Sequence, residues 1–409
     1  MTSPDITTLL SRHVRAAELS PIAVASQQAA RLQAQGRSIV VLTAGEPDFD
    51  TPLPIQQAAI EALARGETRY TATPGTLALR QAIARAYARD AGLTYAPDEL
   101  IVSNGGKQII YQAFKATLDE GDEVILPAPW WPTFPDSVRI CGGTPVAIPT
   151  RAEDGFRITP AQLEQAIGPR TKWLLLNSPA NPTGTVYPQN ELQALAQVLR
   201  RHPHVLILWD EMYEQIWFTP SRPTHWLQAA PDLKERTLLV NGVSKTFAMT
   251  GWRIGWGAGP APLVKALIAV QSQVSSGPNA FSQAAAQAAL DGVAADFVLQ
   301  ARQAYAERAR FITTALQAVP GLQPFPPQGA FFAWVGCAGW LGARTPDGRE
   351  LTNDQDISQW LLEHGVAVVH GAPYGLSPYF RLSFAASLEA LEEAARRIAQ
   401  AGAALTLRD

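Results

Sequence analysis

The sequence predicts a three-layer α/β/α domain on a mostly parallel seven-stranded sheet, plus a smaller α+β domain formed by the N- and C-terminal parts. Three observations predict it. Short runs rich in Val, Ile and Leu recur along the chain, longer Ala/Leu/Gln/Arg segments of helical period separate them, and 409 residues exceed the roughly 250–300 that one hydrophobic core organises. Apolar runs that are continuous rather than alternating mark strands covered on both faces.

In chain order, a helix at residues 23–35 comes first. Strands are expected at 100–102, 123–126, 145–148, 173–176, 205–209, 237–240 and 254–257, with helices at 108–118, 160–167, 190–201 and 262–274 between them. After Pro278 an alanine-rich helical stretch runs to about Val319 and bridges to the second domain. From Gly321 on, strand-like segments at 331–335, 366–369 and 380–384 and a last helix at 388–401 describe the small domain, which the 23–35 helix joins. The expected division is therefore 1–46 with the small domain, 47–300 as the large ligand-binding domain, and 301–409 as the small C-terminal domain.

Composition narrows the function classes. A formal charge of −3 and the lack of any dense Lys/Arg run argue against nucleic acid. The start, Met-Thr-Ser-Pro-Asp, has no basic stretch followed by an apolar one, and no apolar segment approaches the ~20 residues of a membrane span, so neither secretion nor a membrane is expected. Two cysteines, Cys141 and Cys337, make no disulfide framework, and the cytoplasm is the expected compartment.

Ligands of open α/β sheets bind beyond the carboxyl ends of the strands, so the residues after each strand carry the information. After 100–102 comes Ser-Asn-Gly-Gly-Lys-Gln and then a helix, which brings the amides of Gly105, Gly106 and Lys107 to a helix N-terminus suited to phosphate. After 173–176 the octet Asn177-Ser-Pro-Ala-Asn-Pro-Thr-Gly184 fixes a loop in which the Asn181 amide can donate to a ligand oxygen. The run 205–209 delivers Asp210, followed by Tyr213; a buried carboxylate there needs a cationic partner, such as a protonated ring nitrogen, or else serves as a helix N-cap.

Lys245 follows the apolar run 237–240 among small neighbours. Burial there lowers an ammonium pKa and makes the amine competent for a Schiff base. The chain holds only six lysines against 27 arginines, so ordinary surface charge falls mostly to arginine. Arg253 has a planar fork suited to phosphate, and Arg381, inside an apolar strand, needs an anion, either a substrate carboxylate or an internal acid. Other nucleotide patterns fail: Gly255-Trp-Gly-Ala-Gly259 is followed by Pro260, and there is no Gly-x-x-x-x-Gly-Lys-Ser/Thr. The histidines offer only His202 and His204 as a close pair, so no metal site is expected.

In order and wording, Asn-Pro-Thr-Gly, Asp-Glu-x-Tyr and Ser-Lys-Thr-Phe-Ala-Met-Thr-Gly-Trp-Arg resemble the class I aminotransferases of the aspartate aminotransferase family, fold type I, bacterial branch with the aspartate/prephenate aminotransferases. The resemblance runs from Thr43-Ala-Gly-Glu-Pro-Asp-Phe-Asp-Thr-Pro52 to Arg381. It implies a pyridoxal 5′-phosphate enzyme working by a ping-pong cycle on an L-amino acid and a 2-oxo acid, and a homodimer with its sites at the interface. It implies Lys245 as cofactor anchor and proton carrier, Asp210 on the pyridine nitrogen, and Tyr213 and Asn181 on the phenolic oxygen. Trp131 would stack on the ring. Gly105, Gly106, Lys107 and Arg253 would bind the phosphate, with Tyr70 from the other subunit. Arg381, Asn181 and the Gly45 backbone would take the α-carboxylate, and Lys107 a distal carboxylate.

Three departures stand out. Gly242 replaces a phosphate-binding serine, Trp130-Trp131-Pro132-Thr-Phe-Pro replaces Tyr-Trp-Val-Ser-Tyr-Pro, and Ser383-Phe-Ala-Ala-Ser387 replaces Ser-Tyr-Ala-Thr-Ser. The last two remove polar groups and point to an aromatic or bulky substrate. A pyridoxal-phosphate lyase, such as a C–S lyase, and a non-catalytic ligand-sensing domain are the competing classes; the retained Lys245, Asp210 and Arg381 argue against the second.

Overall fold

The computed structural model describes residues 6–15 and 19–407; residues 1–5, on which the expectation about the N-terminus rests, lie outside them. Helix Pro21–Ala34 opens with proline in its first turn, where a missing N–H leaves no bond unmade, and leads into the short strand β1 (Val40–Val41). Seven strands then build the large sheet: β2 (Leu100–Ser103), β3 (Glu123–Ala128), β4 (Thr144–Pro149), β5 (Thr171–Asn177), β6 (Leu206–Asp210), β7 (Thr237–Gly242) and β8 (Gly255–Ala258). Their order is β2-β8-β7-β6-β5-β3-β4. Only β8 runs against the rest, pairing antiparallel with both β2 and β7, so the sheet is mostly parallel as expected.

Alternation along each strand feeds two cores. Val102, Leu174, Leu176, Ile207 and Leu239 pack on one face with helices Leu77–Ala91 and Gln189–Arg201, while Ile101, Trp173, Leu175, Leu208 and Leu238 pack on the other with Gly106–Thr117 and Ala261–Val274. Both faces are dry, which explains the unbroken apolar runs in the sequence.

The smaller unit has β9 (Gln323–Phe325), β10 (Phe332–Gly336), β11 (Val366–Ala367), β12 (Val369–His370) and β13 (Tyr379–Ser383). Four of them form an antiparallel sheet in the order β12-β13-β10-β9, and β11 pairs in parallel with β1. A third core around Phe331, Trp340, Ile357, Phe380 and Ile398 lies beneath it.

Two expectations need correction. The segment 366–369 is not one strand but two, because β11 and β12 pair with different sheets. The helical stretch after Pro278 is also divided, into Ala280–Leu290 and Ala295–Gln317: Gly292, at φ +98°, takes the chain out of the first helix. Helices Leu53–Ala64, Leu77–Ala91, Thr133–Ile140 and Asp354–Glu363 are additions to the elements expected.

Candidate active site

The parallel strands β2, β3, β5, β6 and β7 point their carboxyl ends toward one side of the sheet, and the polar residues that follow them meet there around a cavity of about 260 Å³. Gly45, Gly106, Lys107, Trp131, Asn181, Asp210, Tyr213, Lys245, Arg253 and Arg381 all line it. Gly105, the chain neighbour of Gly106, is not among the lining residues. Ile22, Ile110, Phe134, Asn177, Met212 and Ser244 complete the wall.

The anion side is built from backbone. Gly105, at φ +93°, turns the chain from β2 into helix Gly106–Thr117, whose first amides have no intrahelical acceptor. The Arg253 guanidinium folds over this turn, donating to the carbonyls of Thr250 at 2.8 Å and Asn104 at 3.2 Å. A Cβ on Gly105 would lie 2.4 Å from the Arg253 Nη2, and one on Gly255, at the start of β8, only 2.3 Å from the Gly106 nitrogen. Gly242, the first sequence departure, is also tightly covered: a Cβ there would meet the Ile254 carbonyl at 2.9 Å.

Opposite lies the charged floor. Asp210 ends β6 with 5% exposure; burial pushes its carboxyl up to about 7, against a hydrogen bond from the Met212 amide at 3.1 Å. The expected N-cap alternative does not hold, since no helix of any length follows β6 directly. Lys245 is half-buried at the cavity wall, and loss of hydration lowers its amine to about 8, with Glu46 opposing and Arg253, Arg381 and Lys107 assisting. Its Nζ donates to the Gly45 carbonyl at 2.5 Å. Burial also raises the Tyr213 phenol well above its ordinary value.

Arg381 is completely buried on β13 and has no carboxylate in ion-pair range among the described residues. Its Nη1 donates to the Asn181 side chain at 3.0 Å and its Nη2 to the Thr43 carbonyl at 2.5 Å, while Nε has no partner. The internal salt bridge left open by the sequence is therefore absent. Asn181 is itself held by its amide bond to the Asn177 side chain, 2.8 Å.

Lys107 stands 4.8 Å above the Trp131 ring, its pKa lowered by partial desolvation and then by Arg253. Tyr70 is 94% exposed and is not among the residues lining this chain's cavity. Trp130 docks instead onto the small unit, its indole N–H donating to the Pro373 carbonyl at 3.2 Å. Phe384 is a core residue, and neither it nor Ala385 or Ala386 lines the cavity. Of the altered positions, Trp130 and Phe384 are turned into the scaffold, whereas Phe134 lines the cavity with a ring that lacks the hydroxyl of the tyrosine it replaces. Of the residues missed, Asn177 and Ser244 stood inside quoted motifs, whereas nothing in the sequence marked Ile22 as reaching the cavity from the N-terminal helix.

A larger cavity, about 420 Å³, lies between helices Leu77–Ala91 and Ala280–Leu290; Gly242 lines it, and it shares no lining residue with the 260 Å³ cavity. Among the described residues no His/Cys/Asp/Glu group is arranged for a metal, and no helix is long and apolar enough to cross a membrane.

Residues 37–398 match the model of the family "Aminotransferase class I and II". An aspartate aminotransferase of Rhizobium meliloti (strain 1021) is 48% identical over 94% of this chain and 93% of its own length. An aspartate/prephenate aminotransferase of Nitrosomonas europaea is 47% identical over 95% of this chain and 98% of its own. The crystal structure of the aspartate aminotransferase from Rhizobium meliloti superimposes with a TM-score of 0.94 at 46% identity, covering 97% of this chain and 99% of that one.

Proposed function

We propose, from the premise that this chain belongs to the class I and II aminotransferases and is a transaminase, that it moves amino groups between aspartate or glutamate and 2-oxo acids in a ping-pong cycle with pyridoxal 5′-phosphate. The observation that carries the substrate reading is Arg381, a fully buried guanidinium with an unpartnered Nε and no acid beside it. A buried cation without a counter-ion is costly, and the α-carboxylate of an amino acid supplies the missing partner.

The rest of the site fits the cofactor. Asp210, raised to about 7, is a buried acid suited to share a proton with a ring nitrogen; Gly105, Gly106, Lys107 and Arg253 offer amides and a guanidinium to a phosphate. When bound, pyridoxal phosphate would supply the carbonyl that captures the amino group and the electron sink that loosens the substrate Cα–H bond. Lys245 would hold it covalently and, once released, move the proton at the substrate Cα through its Nζ. Tyr213 and Asn181 would orient the ring oxygen, Trp131 would cover the ring face, and Asn181 and the Gly45 backbone would help Arg381 hold the carboxylate. Lys107 would meet the second carboxylate of a dicarboxylic substrate. The relative named for prephenate adds that oxo acid to the acceptors to be tried.

The test is amino exchange: purified protein given aspartate and 2-oxoglutarate should form oxaloacetate and glutamate. Pyruvate and ammonia released with no acceptor present would replace this reading with the lyase. Arg381→Lys, which keeps the charge but loses the fork, should raise KM for every amino-acid substrate about 100-fold while the cofactor stays bound. An unchanged KM would remove the carboxylate from Arg381.

The active unit in this reading is a homodimer. Helix Leu53–Ala64 buries Ile55, Ala59 and Ala62 yet leaves Leu53, Ile60 and Leu63 exposed, so it is apolar on both sides, and Tyr70 projects just beyond it. Tyr70 of one copy would reach the phosphate in the other, so Tyr70→Phe should weaken cofactor retention about tenfold by losing one hydrogen bond to a charged group. Sedimentation as a monomer at assay concentration would overturn this. The division into 1–46 plus 301–409 against 47–300 is supported by the β1–β11 pairing, and the cytoplasm by two buried free cysteines.

A further inference from the structure

Directly after Asp210 on the chain comes a second buried carboxylate, Glu211, with 1% exposure. It takes no part in lining the 260 Å³ cavity, and its one ion-pair neighbour among the described residues is His225. Three side chains converge on it: the Tyr87 hydroxyl at 2.8 Å, the His225 Nε2 at 2.7 Å and the Asn241 amide nitrogen at 3.4 Å.

Each of these is locked as a donor by another contact. The Tyr87 oxygen already accepts from the Trp256 indole N–H at 3.2 Å, so its own proton goes to Glu211. The His225 Nδ1 accepts the Leu227 amide at 3.0 Å, which leaves the ring proton on Nε2. The Asn241 oxygen accepts the Gly242 amide at 2.7 Å, which turns its NH₂ toward Glu211 and toward Glu214, 3.2 Å away. All three side-chain hydrogen bonds use the Glu211 carboxylate oxygens as acceptors, the role an ionised carboxylate fills best.

We propose that Glu211 is a positioning residue for the reaction, a fixed negative charge behind Asp210 that strengthens Asp210's hold on the proton it shares with the cofactor ring. The inference rests on the proposed pyridoxal-phosphate chemistry. Asp210 also faces Lys245 and Tyr213, and Glu211 faces Tyr87 and Tyr95 on one side and Glu214 with its partner Arg222, Asp90 and Arg89 on another. The repulsion between the two neighbouring carboxylates acts in the same sense as the burial of Asp210.

The test follows the protonated-carboxyl infrared band of Asp210, identified by its loss in Asp210→Asn, in the full chain without cofactor. In parallel, the visible absorbance of the pyridoxal-phosphate-loaded protein is titrated with pH. Glu211→Gln should lower the Asp210 midpoint by about one pH unit and move the absorbance midpoint down with it, since a nearby negative charge has gone. Glu211→Asp should restore most of both. Tyr87→Phe, which removes one donor and leaves the Glu211 charge in place, should move both slightly upward, since the carboxylate loses a compensating O–H dipole. Unmoved midpoints in folded Glu211→Gln, or in Tyr87→Phe if Glu211→Gln does not fold, would reduce Glu211 to a packing role. Wild type that never takes up pyridoxal phosphate would instead remove the functional reading, while the infrared midpoint would still decide the charge.

Discussion

Replacing Lys245 with alanine is expected to lower kcat/KM by at least about 10⁴-fold, because both the covalent hold on the cofactor and the proton carrier at the substrate Cα go together. The cavity position that makes Lys245 useful also makes it replaceable without collapse. Its amine donates one hydrogen bond, to the Gly45 carbonyl, and its hydration is already poor, which is why its pKa falls to about 8. The alanine variant should therefore fold, bind pyridoxal phosphate without covalent linkage, and show a free-aldehyde absorbance. A small external amine should restore part of the rate. A variant that keeps wild-type absorbance and turnover would remove Lys245 from the chemistry.

Asp210→Asn should act in two opposite directions. Turnover should fall about 10³-fold, since an amide cannot keep a ring nitrogen protonated. The cofactor-free protein should nonetheless become more stable at pH 7.5. Burial raises Asp210 from 3.8 to about 7, a difference on the order of 4 kcal/mol. Between those two values the folded chain keeps a proton that the unfolded chain has released, so stability falls as pH rises through that window and the full penalty stands above about 7. Asparagine abolishes the dependence. Urea unfolding without cofactor should show the variant ahead of wild type near pH 7.5 and the gap closing toward pH 4; a gap that does not change with pH would disprove the origin assigned to it.

Much of this architecture was readable because both faces of the large sheet are covered. Runs such as Trp173–Leu176 and Thr237–Val240 stay apolar without interruption, and every one of the seven strands was found to within a few residues. The sites at the strand ends were readable for a related reason: a polar residue that follows such a run stands out, as Asp210 and Lys245 do. What escaped was structure without that contrast. Helix Leu53–Ala64 is apolar on two sides and gives no amphipathic period, although Pro52 before it and the Thr76 cap of the next helix, which accepts the Leu79 amide, were usable signals. Val366–His370 looks like one strand because sequence does not record that its halves serve different sheets. Trp130 and Phe384 misled for the opposite reason: they flank true site motifs but are turned into packing.

The reversed strand β8 has a consequence for how this site can change over evolutionary time. Because it enters the sheet from the opposite end, its first residue, Gly255, lies beneath the Gly105–Gly106 turn, where any side chain would meet the Gly106 nitrogen. Lineages can therefore retune the pocket by drifting at wall positions such as Ile22 or Phe134, but the ground under this turn is closed to variation. The reach of substrate diversification is bounded from below by a residue that no substrate ever touches.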